Sequence, residues 1–279
     1  MTDEGWFAGL DPEDHGAAVT RIREGQAETS ADWPRVAVEQ GFAGNRDEYY
    51  DRLHEVTVAA AREAAGERER AADRQLVHAV RAMDDCREQA NELAERLSEW
   101  AGSLDDDAGT GVDYARELAA QDPETPGDRR VVSLARRVVG LDEEADDLER
   151  FVETTAPEVA PNLTMLAGPV LAARLISLAG GLESLAKKPS GTVQVLGAED
   201  ALFAHLRGDA PSPKHGLIYT HEAVHGTRPE DRGSASRALA GKLSIAARID
   251  HYSGDRRPDL QAELDERIAA IQARGDDDA

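Results

Sequence analysis

One segment of the sequence has the residue types and spacing of a zinc-dependent hydrolase. His221, Glu222 and His225 form H-E-x-x-H, in which two imidazoles one helical turn apart hold zinc while the glutamate activates water. The flanks do not favour the long helix that this chemistry needs, because residues 216–220 look extended and Gly226 directly follows the second histidine. The context argues against a zinc hydrolase, which we keep as an alternative.

No other segment suggests catalysis. The sequence contains no glycine-rich loop of the Rossmann or P-loop type, and no nucleophile in a sharp strand–turn–helix setting. Cys86 is the only cysteine, which excludes an internal disulfide and any cysteine-rich zinc module. We therefore expect a protein that is not an enzyme and that binds no cofactor or metal.

The composition indicates a strongly acidic chain. Its 279 residues, enough for two or three small domains, include 32 Lys and Arg against 55 Asp and Glu, a formal net charge of −23. An acidic excess with few lysines is typical of proteins in salty cytoplasm, so we expect a halophile; the alternative is an acidic face that binds a basic partner. The start lacks the features of a signal peptide, and Leu163–Gly181 is too interrupted to span a membrane. We expect a cytoplasmic protein.

The basic residues are concentrated in one part of the chain. Residues 161–258 contain nine acidic and twelve basic residues and all four lysines, Lys187, Lys188, Lys214 and Lys242. A block that stays basic in an acidic chain predicts an anionic partner, and nucleic acid is the first choice because phosphate contacts require Lys and Arg. The alternative is a core-rich domain with few surface acids.

Two runs of apolar and small residues follow the three-and-four spacing of helices that pack by knobs into holes. The first run is Leu76, Val80, Met83, Cys86, Ala90, Leu93, Leu97 and Trp100, and the second is Val131, Leu134, Val138, Leu141, Ala145, Leu148 and Val152. Residues 101–128, rich in Asp, Gly and Pro, separate the runs and allow an antiparallel return. We expect a dimeric coiled coil through Leu93, Leu97, Trp100, Leu134, Val138, Leu141 and Leu148. The alternative is two ordinary helices on a core.

These patterns predict a mainly α fold with four parts. A small domain of reduced size, α+β or irregular, covers residues 1–70, and the coiled-coil hairpin covers 71–157. An all-helical domain follows over 158–258, and an acidic helix and tail over 259–279. In the helical domain we expect Asn162 and Ser234 to act as N-caps, and Ser190 to cap a helix that carries Val193 to Leu206.

Several strings resemble the Nop domain of box C/D small ribonucleoprotein scaffolds, above all the archaeal ones. They are APNLTMLAGPVLAARLISLAGGLESLAKKP (160–189), GAEDALFAHL (197–206), PKHGLIY (213–219) and RGSASRALAGKLSIAARID (232–250). DEYYDRLHEVT (47–57) and AMDDCREQANELAERLSEW (82–100) are similar to the approach to the coiled coil in the same family. The similarity covers most of the chain, and the motifs follow the order of the family.

The resemblance implies a function. Members of this family dimerise through the coiled coil, and their helical domain binds kink-turn RNA together with a small ribosomal-protein-like kink-turn binder. Their N-terminal domain docks fibrillarin, which uses S-adenosylmethionine to methylate RNA at ribose 2′-hydroxyls. The scaffold has no catalytic residues. The second interpretation is a Nop-domain module with a different set of partners. The resemblance supports docking of fibrillarin less strongly than it supports RNA binding, because the N-terminal region is short.

The residue chemistry agrees with recognition of bent RNA by shape and backbone contacts. Basic side chains would contact phosphates, backbone N–H groups at Ser190 and the small residues of the 197–198 turn would approach RNA closely, and Gln194 and Glu199 would hydrogen-bond beside them. The expected contact residues are Lys187, Lys188, Ser190, Gln194, Gly197, Ala198, Glu199, Lys214, His215, Arg232, Arg237 and Lys242. Arg174 and Arg248 lie in apolar stretches and are expected to be structural.

Two positions depart from the family pattern. Asp200 and Ser234 stand where relatives usually have a basic residue, so both remove attraction to phosphate. Strong salt screens such attraction within a few ångströms. We therefore expect shape and short hydrogen bonds to contribute more to RNA binding, and the affinity to fall less steeply with salt than the number of bases suggests.

Overall fold

The structure, a computed structural model, describes residues 5–25, 31–105 and 107–273. Within these residues the regular structure consists of helices only, which confirms the mainly α prediction and corrects the expectation of strands in the first domain. The chain forms two compact units, Met1–Ala71 and Ala72–Ala279. The expected acidic tail, residues 274–279, lies outside the described residues.

The described residues of the first unit form three helices around an aromatic core. They are α1 (His15–Glu24), α2 (Trp33–Glu39) and α3 (Arg46–Arg70). The cap of α1 is Asp14, whose carboxylate accepts from the Ala17 N–H, and that of α3 is Asn45, whose side chain accepts from the Glu48 N–H. The buried rings of Phe7, Phe42 and Tyr49 form the centre of the core. Large aromatic rings give so small a unit more buried apolar area per residue than aliphatic side chains would.

The second unit begins with a helical hairpin. It consists of α4 (Ala72–Gly102), α5 (Gly111–Ala119) and α6 (Pro126–Val159), and the predicted stripes lie on α4 and α6. Thr125 starts α6 with a capping box, in which its hydroxyl and the Asp128 carboxylate each accept from the other residue's N–H. The sequence analysis missed α5, which packs against both long helices. Pro157, taken as the end of the hairpin, lies inside α6.

The predicted dimer stripe packs within one chain. Leu97 and Val138 are 0% exposed in a core shared by α4, α5 and α6, so neither side chain is available to a second copy. Their inclusion among the dimer contacts is corrected, because α5 adds a third layer that closes over the stripe. Leu93, Leu134, Leu141 and Leu148 are half-buried and Trp100 is 42% exposed, so the dimer stays a prediction for these residues.

A series of helices follows the hairpin over residues 161–273, and we call it the helical module. They are α7 (Pro161–Ala167), α8 (Pro169–Ala179), α9 (Leu182–Lys187), α10 (Ser190–Val195), α11 (Glu199–Leu206), a 3-10 helix (Leu217–Thr220), α12 (Glu222–His225), α13 (Arg232–Tyr252) and α14 (Asp259–Ala273). The module shares one aliphatic core with the base of the hairpin: Met83 and Val152 pack with Leu175, Leu243 and Leu264. Hairpin and module therefore form a single unit.

The expected N-caps lie inside their helices instead. Asn162 is the second residue of α7; its side chain donates to the Asp250 carboxylate (2.6 Å) and accepts from the Arg257 N–H (2.6 Å), which ties α7 to the end of α13. Ser234 lies within α13, and Ser190 is the first residue of a helix that ends at Val195. Buried tertiary partners and the turn that follows α10 prevail here over the local capping preference.

Polar links fasten the hairpin to the module. The Arg174 guanidinium pairs with Asp84 on α4, and the Arg81 Nε donates to the Ser177 hydroxyl at 2.9 Å. The Leu182 N–H, at the start of α9, donates to the Asp73 carboxylate at 3.1 Å. Arg248 donates to the backbone of α9, with its Nε 3.1 Å from the Ala186 carbonyl oxygen. These contacts confirm the structural roles expected of Arg174 and Arg248.

No single helix among the described residues has both the length and the apolar composition needed to cross a membrane. Helices α7 and α8 meet that test only as a pair, and they are bent by 117° at their junction.

Candidate nucleic-acid interface

The expected contact residues of α10 and of the segment before the 3-10 helix lie side by side. The Gly216 N–H donates to the Gln194 carbonyl oxygen (2.9 Å) and the Leu217 N–H to that of Leu196 (2.7 Å). The Gln194 side chain donates to the Lys214 carbonyl oxygen at 2.7 Å. A Cβ on Gly216 would lie 2.2 Å from the Leu196 carbonyl oxygen, so only glycine fits this crossing. Gln194 thus positions the basic segment through its side-chain amide nitrogen.

A cluster of aromatic and basic side chains follows from this crossing. The His215 ring stacks on the Tyr219 ring with 4.5 Å between centroids and 21° between planes. The Arg232 guanidinium carbon lies 5.4 Å from the centroid of the same tyrosine. We call His215, Tyr219 and Arg232 the aromatic–cationic column. Sequence reasoning found its two basic members and missed Tyr219, although the aromatic residue follows Lys214 by only five positions.

Hydrogen bonds to the backbone fix the Arg232 end of the column, and Lys214 lies beside its His215 end. The Arg232 Nε donates to the Thr227 carbonyl oxygen at 3.0 Å and its Nη2 to that of His225 at 3.2 Å, so its guanidinium has a fixed orientation. Lys214, next to His215, has an exposed side chain whose stem lies close to the start of α13. Arg232 therefore presents a preset positive charge.

Burial lowers the pKa of the His215 imidazole from its ordinary value, and the charges of Arg232 and Lys214 lower it further. The imidazole is thus largely neutral at pH 7, since an unperturbed histidine has a pKa of about 6.5. The positive charge of the site comes from Lys214 and Arg232, while His215 supplies a neutral stacking surface.

The Gly197–Glu199 turn lies next to Leu217, two residues before Tyr219. Gly197 has φ +84°, a conformation that favours glycine, and its N–H donates to the Glu199 carboxylate at 2.9 Å. Ala198 is the N-cap of α11, and Asp200 is exposed in its first turn. Glu199 therefore closes the turn from within. No residue of α11 is buried, and Phe203 is 57% exposed.

Lys187, Lys188 and Ser190 form a separate group at the junction of α9 and α10. The Lys187 ammonium pairs with Glu183 at 2.5 Å, and this partner raises the pKa of the lysine. The Lys188 carbonyl oxygen accepts from Arg248, while Ser190 is exposed. Among the described residues no hydrogen bond or ion pair joins the side chains of this group to the column.

The two predicted basic residues of α13 differ. Arg237 is exposed, and the described residues include no ion-pair partner for it. Lys242 pairs with Glu263 of α14, and its side chain is only 22% exposed. Its role as an RNA contact stays a prediction, and the Glu263 carboxylate already partners its charge.

The H-E-x-x-H segment does not form a metal site. The Nδ1 atom of His221 accepts from the Ala223 N–H at 3.1 Å, so its Nε2 atom carries the proton and donates to the Leu166 carbonyl oxygen at 2.9 Å. Both ring nitrogens are thus engaged, and α12 is only four residues long. Within the described residues no three His, Cys, Asp or Glu side chains are placed to hold a metal ion. The zinc-hydrolase alternative has no support.

The fold is that of an α-helical protein in which a hairpin carries a helical module, and residues 161–258 of that module hold twelve basic against nine acidic residues. Residues 75–271 match the Nop family, described as "snoRNA binding domain, fibrillarin". This match covers more than half of the chain, so the chain belongs to the Nop family.

Three relatives show how far the similarity extends. The chain is 33% identical over 277 residues to an uncharacterized NOP5 family protein of Methanocaldococcus jannaschii, across 86% of this chain and 67% of that protein. It is 40% identical over 160 residues to nucleolar protein 56 of Saccharomyces cerevisiae, across 56% and 32% of the two chains. It is 36% identical over 149 residues to human nucleolar protein 58, across 52% and 28%. The matches thus span about a third or less of these two nucleolar proteins.

A solved structure has the same fold. A chain in the crystal structure of a fibrillarin/Nop5p complex aligns with a TM-score of 0.55 and 24% identity, covering 97% of this chain and 100% of that chain. At this identity the likeness establishes the fold alone.

Proposed function

We propose that this chain is a non-catalytic scaffold of box C/D guide ribonucleoproteins. It binds kink-turn RNA already associated with a small ribosomal-protein-like binder, and it recruits a fibrillarin-type methyltransferase that modifies the ribose 2′-hydroxyl of target RNA. The chemistry belongs to the methyltransferase, and the scaffold contributes orientation, which converts guide–target pairing into placement of one ribose. The acidic composition supports a cytoplasmic location.

The match of residues 75–271 to the Nop family carries this proposal. It takes in the hairpin and the module with its column, the parts that a scaffold needs for spacing and for RNA binding. Lys214, Arg232 and Arg237 offer positive charge in a chain of net charge −23, which supports contact with phosphate.

Reconstitution tests the proposal. The full chain is combined with a kink-turn guide RNA, its small binder, the methyltransferase and a complementary target, and methylation of the target ribose is scored. We expect omission of the chain to abolish site-specific methylation, and persistence without the chain would contradict the scaffold role. RNA binding without methylation would favour a Nop-domain module with different partners.

A matched pair of variants separates RNA binding from general charge. Lys214→Glu with Arg237→Glu reverses two exposed charges of the module, and Arg96→Glu with Arg150→Glu reverses two exposed charges of the hairpin. We expect only the first variant to lose binding to the RNA and its small binder. Equal losses in both would indicate a nonspecific effect of net charge.

Recruitment of the methyltransferase is assigned to the first unit. This unit is compact in itself, which supports an independent docking role. We expect the full chain to retain the methyltransferase in a pull-down and a chain that lacks residues 1–71 to lose it while still binding RNA. Retention by the truncated chain would reject this assignment.

Self-association is assigned to the hairpin. Trp100 and Leu104 are exposed apolar residues at and just beyond the end of α4, and they support a contact between the tips of two hairpins. Analytical ultracentrifugation of the full chain tests whether it forms a dimer, and a monomer at every accessible concentration would reject it.

A further inference from the structure

Tyr219 is more exposed than its position in the fold requires. Its neighbour Ile218 is fully buried and anchors the 3-10 helix, whereas the Tyr219 side chain is 38% exposed. No hydrogen bond to the Tyr219 hydroxyl is present in the part of the chain that the structure describes. A tyrosine that is not needed to fill a core, with an unpaired hydroxyl, is suited to a ligand that offers both an apolar face and polar atoms.

The surroundings of this tyrosine specify the ligand. His215 is stacked on the ring, and Arg232 lies 5.4 Å from its centroid. The charges nearby are those of Arg232 and Lys214, so an anionic group is attracted next to an aromatic surface. A nucleotide combines a flat base with a phosphate, and proteins bind unpaired bases by stacking on aromatic rings and arginine.

We propose that the aromatic–cationic column stacks an unpaired nucleotide of the bound RNA, with the base extending the existing Tyr219–His215 stack and the phosphate beside Lys214. This inference rests on the RNA binding proposed above. It adds that the site distinguishes an unpaired base from a duplex, because the two faces of a paired base are covered by its neighbours in the stack.

The hydrogen bonds of the site preset this geometry. Arg232 is fixed by the Thr227 and His225 carbonyl oxygens, and the segment that carries His215 is fixed by Gly216 and Gln194. Little side-chain freedom is therefore lost when a base is bound. The neutral His215 ring adds a stacking surface and no further charge.

Photocrosslinking on the unmodified full chain tests the proposal directly. The probe is a kink-turn RNA bound to its small binder, with 5-iodouridine placed at one unpaired or one paired position at a time. We expect a crosslink from an unpaired position to the peptide that contains His215 and Tyr219, and none from paired positions. The proposal would be overturned if only paired positions crosslink to Tyr219, or if the unpaired positions crosslink only to the small protein binder.

Binding measurements with variants give an independent readout. We expect Tyr219→Leu to weaken binding about tenfold, the effect of losing one stacked base, and Tyr219→Phe to bind within about twofold of the wild type. Tyr50→Leu, which changes an exposed tyrosine of the first unit, is the matched control and should leave the affinity unchanged. Circular dichroism establishes that each variant is folded.

A double-mutant cycle separates stacking from indirect effects. An abasic residue replaces the crosslinked nucleotide in an RNA that still holds its small binder. We expect it to weaken binding by the wild-type chain about tenfold and by Tyr219→Leu hardly at all, because both changes remove the same contact. Additive losses would overturn the stacking proposal.

The outcomes also separate this inference from the proposed function. If Tyr219→Leu binds like the wild type while Lys214→Glu with Arg237→Glu does not bind, stacking is rejected and RNA binding by the module stands. If the wild-type chain fails to bind the RNA with its small binder, both proposals are rejected.

Discussion

The two compact units place their aromatic side chains in opposite ways. In the first unit Phe7, Phe42 and Tyr49 are buried, and the half-buried Trp6 and Trp33 pack against them. The larger unit buries none of its six aromatic residues: Trp100, Phe151, Phe203, Tyr219 and Tyr252 are exposed, and Tyr114 is half-buried. The contrast is one of location and not of number, since the chain divides its 12 aromatic residues equally between the units.

This difference teaches what the rings are for. A unit of about seventy residues has little interior, and large rings supply the buried apolar area that it needs. The larger unit fills its core with Leu, Ile, Val, Met and Ala, so its exposed aromatic residues are not needed to fill that core. Exposed aromatic side chains are enriched where proteins and RNA dock. We infer that the rings stabilise the first unit and serve binding in the second.

The strongest test of the comparison is truncation of a buried ring. Phe7→Ala should destabilise the first unit by about 3–5 kcal/mol, because it removes the apolar contacts and leaves a cavity. Urea unfolding followed by the fluorescence of Trp6 and Trp33 measures the loss. Tyr50→Ala, at an exposed position, is the control and should change the unfolding free energy by less than about 0.5 kcal/mol. Equal effects would remove the basis of the comparison.

The next test asks what stabilises a core without aromatic rings. Asn162→Ala leaves the Arg257 N–H without its acceptor and removes a donor to the half-buried Asp250 carboxylate, whose pKa is raised by its partial burial despite three N–H donors. We expect a loss of about 1–3 kcal/mol in the unfolding free energy of the larger unit. Asp200→Asn, at an exposed position, should leave it unchanged.

Replacing an exposed ring of the larger unit should affect assembly and not folding. Trp100→Ala should change the unfolding free energy by less than about 0.5 kcal/mol, because the ring is already 42% exposed. The same variant should weaken self-association in sedimentation experiments. A large loss of stability with no change in association would contradict the assignment of exposed rings to binding.

The smallest expected effect is a change in the titration of His215. Its pKa is lowered first by burial and then by Arg232, so Arg232→Gln should raise it only part of the way to about 6.5. Because the folded pKa is below the unfolded value, the associated stability is present above about pH 6.5 and is lost as the pH falls towards the folded pKa. Titration by NMR measures both changes, and Arg237→Gln is the control that should not shift the pKa.

The sequence predicted the long elements well and the short ones poorly. The stripes on α4 and α6 were recognised because their three-and-four spacing continues over many residues. Helix α5 was missed because its nine residues lie among Asp, Gly and Pro that predict a loop. Its packing on both long helices also explains why the stripe is buried within one chain, which periodicity alone cannot distinguish from contact between chains.

The site was predicted in its residue types and only partly in its grouping. The grouping of the column depends on tertiary contacts that have no local signal, namely the Gly216 crossing on α10 and the approach of Arg232 to Tyr219. The ion pair of Lys242 with Glu263 was not foreseen because that partner lies on the next helix. Tyr219 was overlooked because its exposure, and not its residue type, distinguishes it from a core aromatic residue.

The links between hairpin and module limit how the RNA can be presented. Helix α6 continues through Pro157 into the shared core, and Arg174–Asp84 and Arg81–Ser177 join α8 to α4. A rotation of the hairpin tip therefore rotates the aromatic–cationic column with it, so the direction of the bound RNA follows that of the tip. The connection between hairpin and module is therefore not a hinge that could reorient the bound RNA towards target nucleotides at different distances. That adjustment has to come from bending of the RNA or from movement of the proteins bound to it.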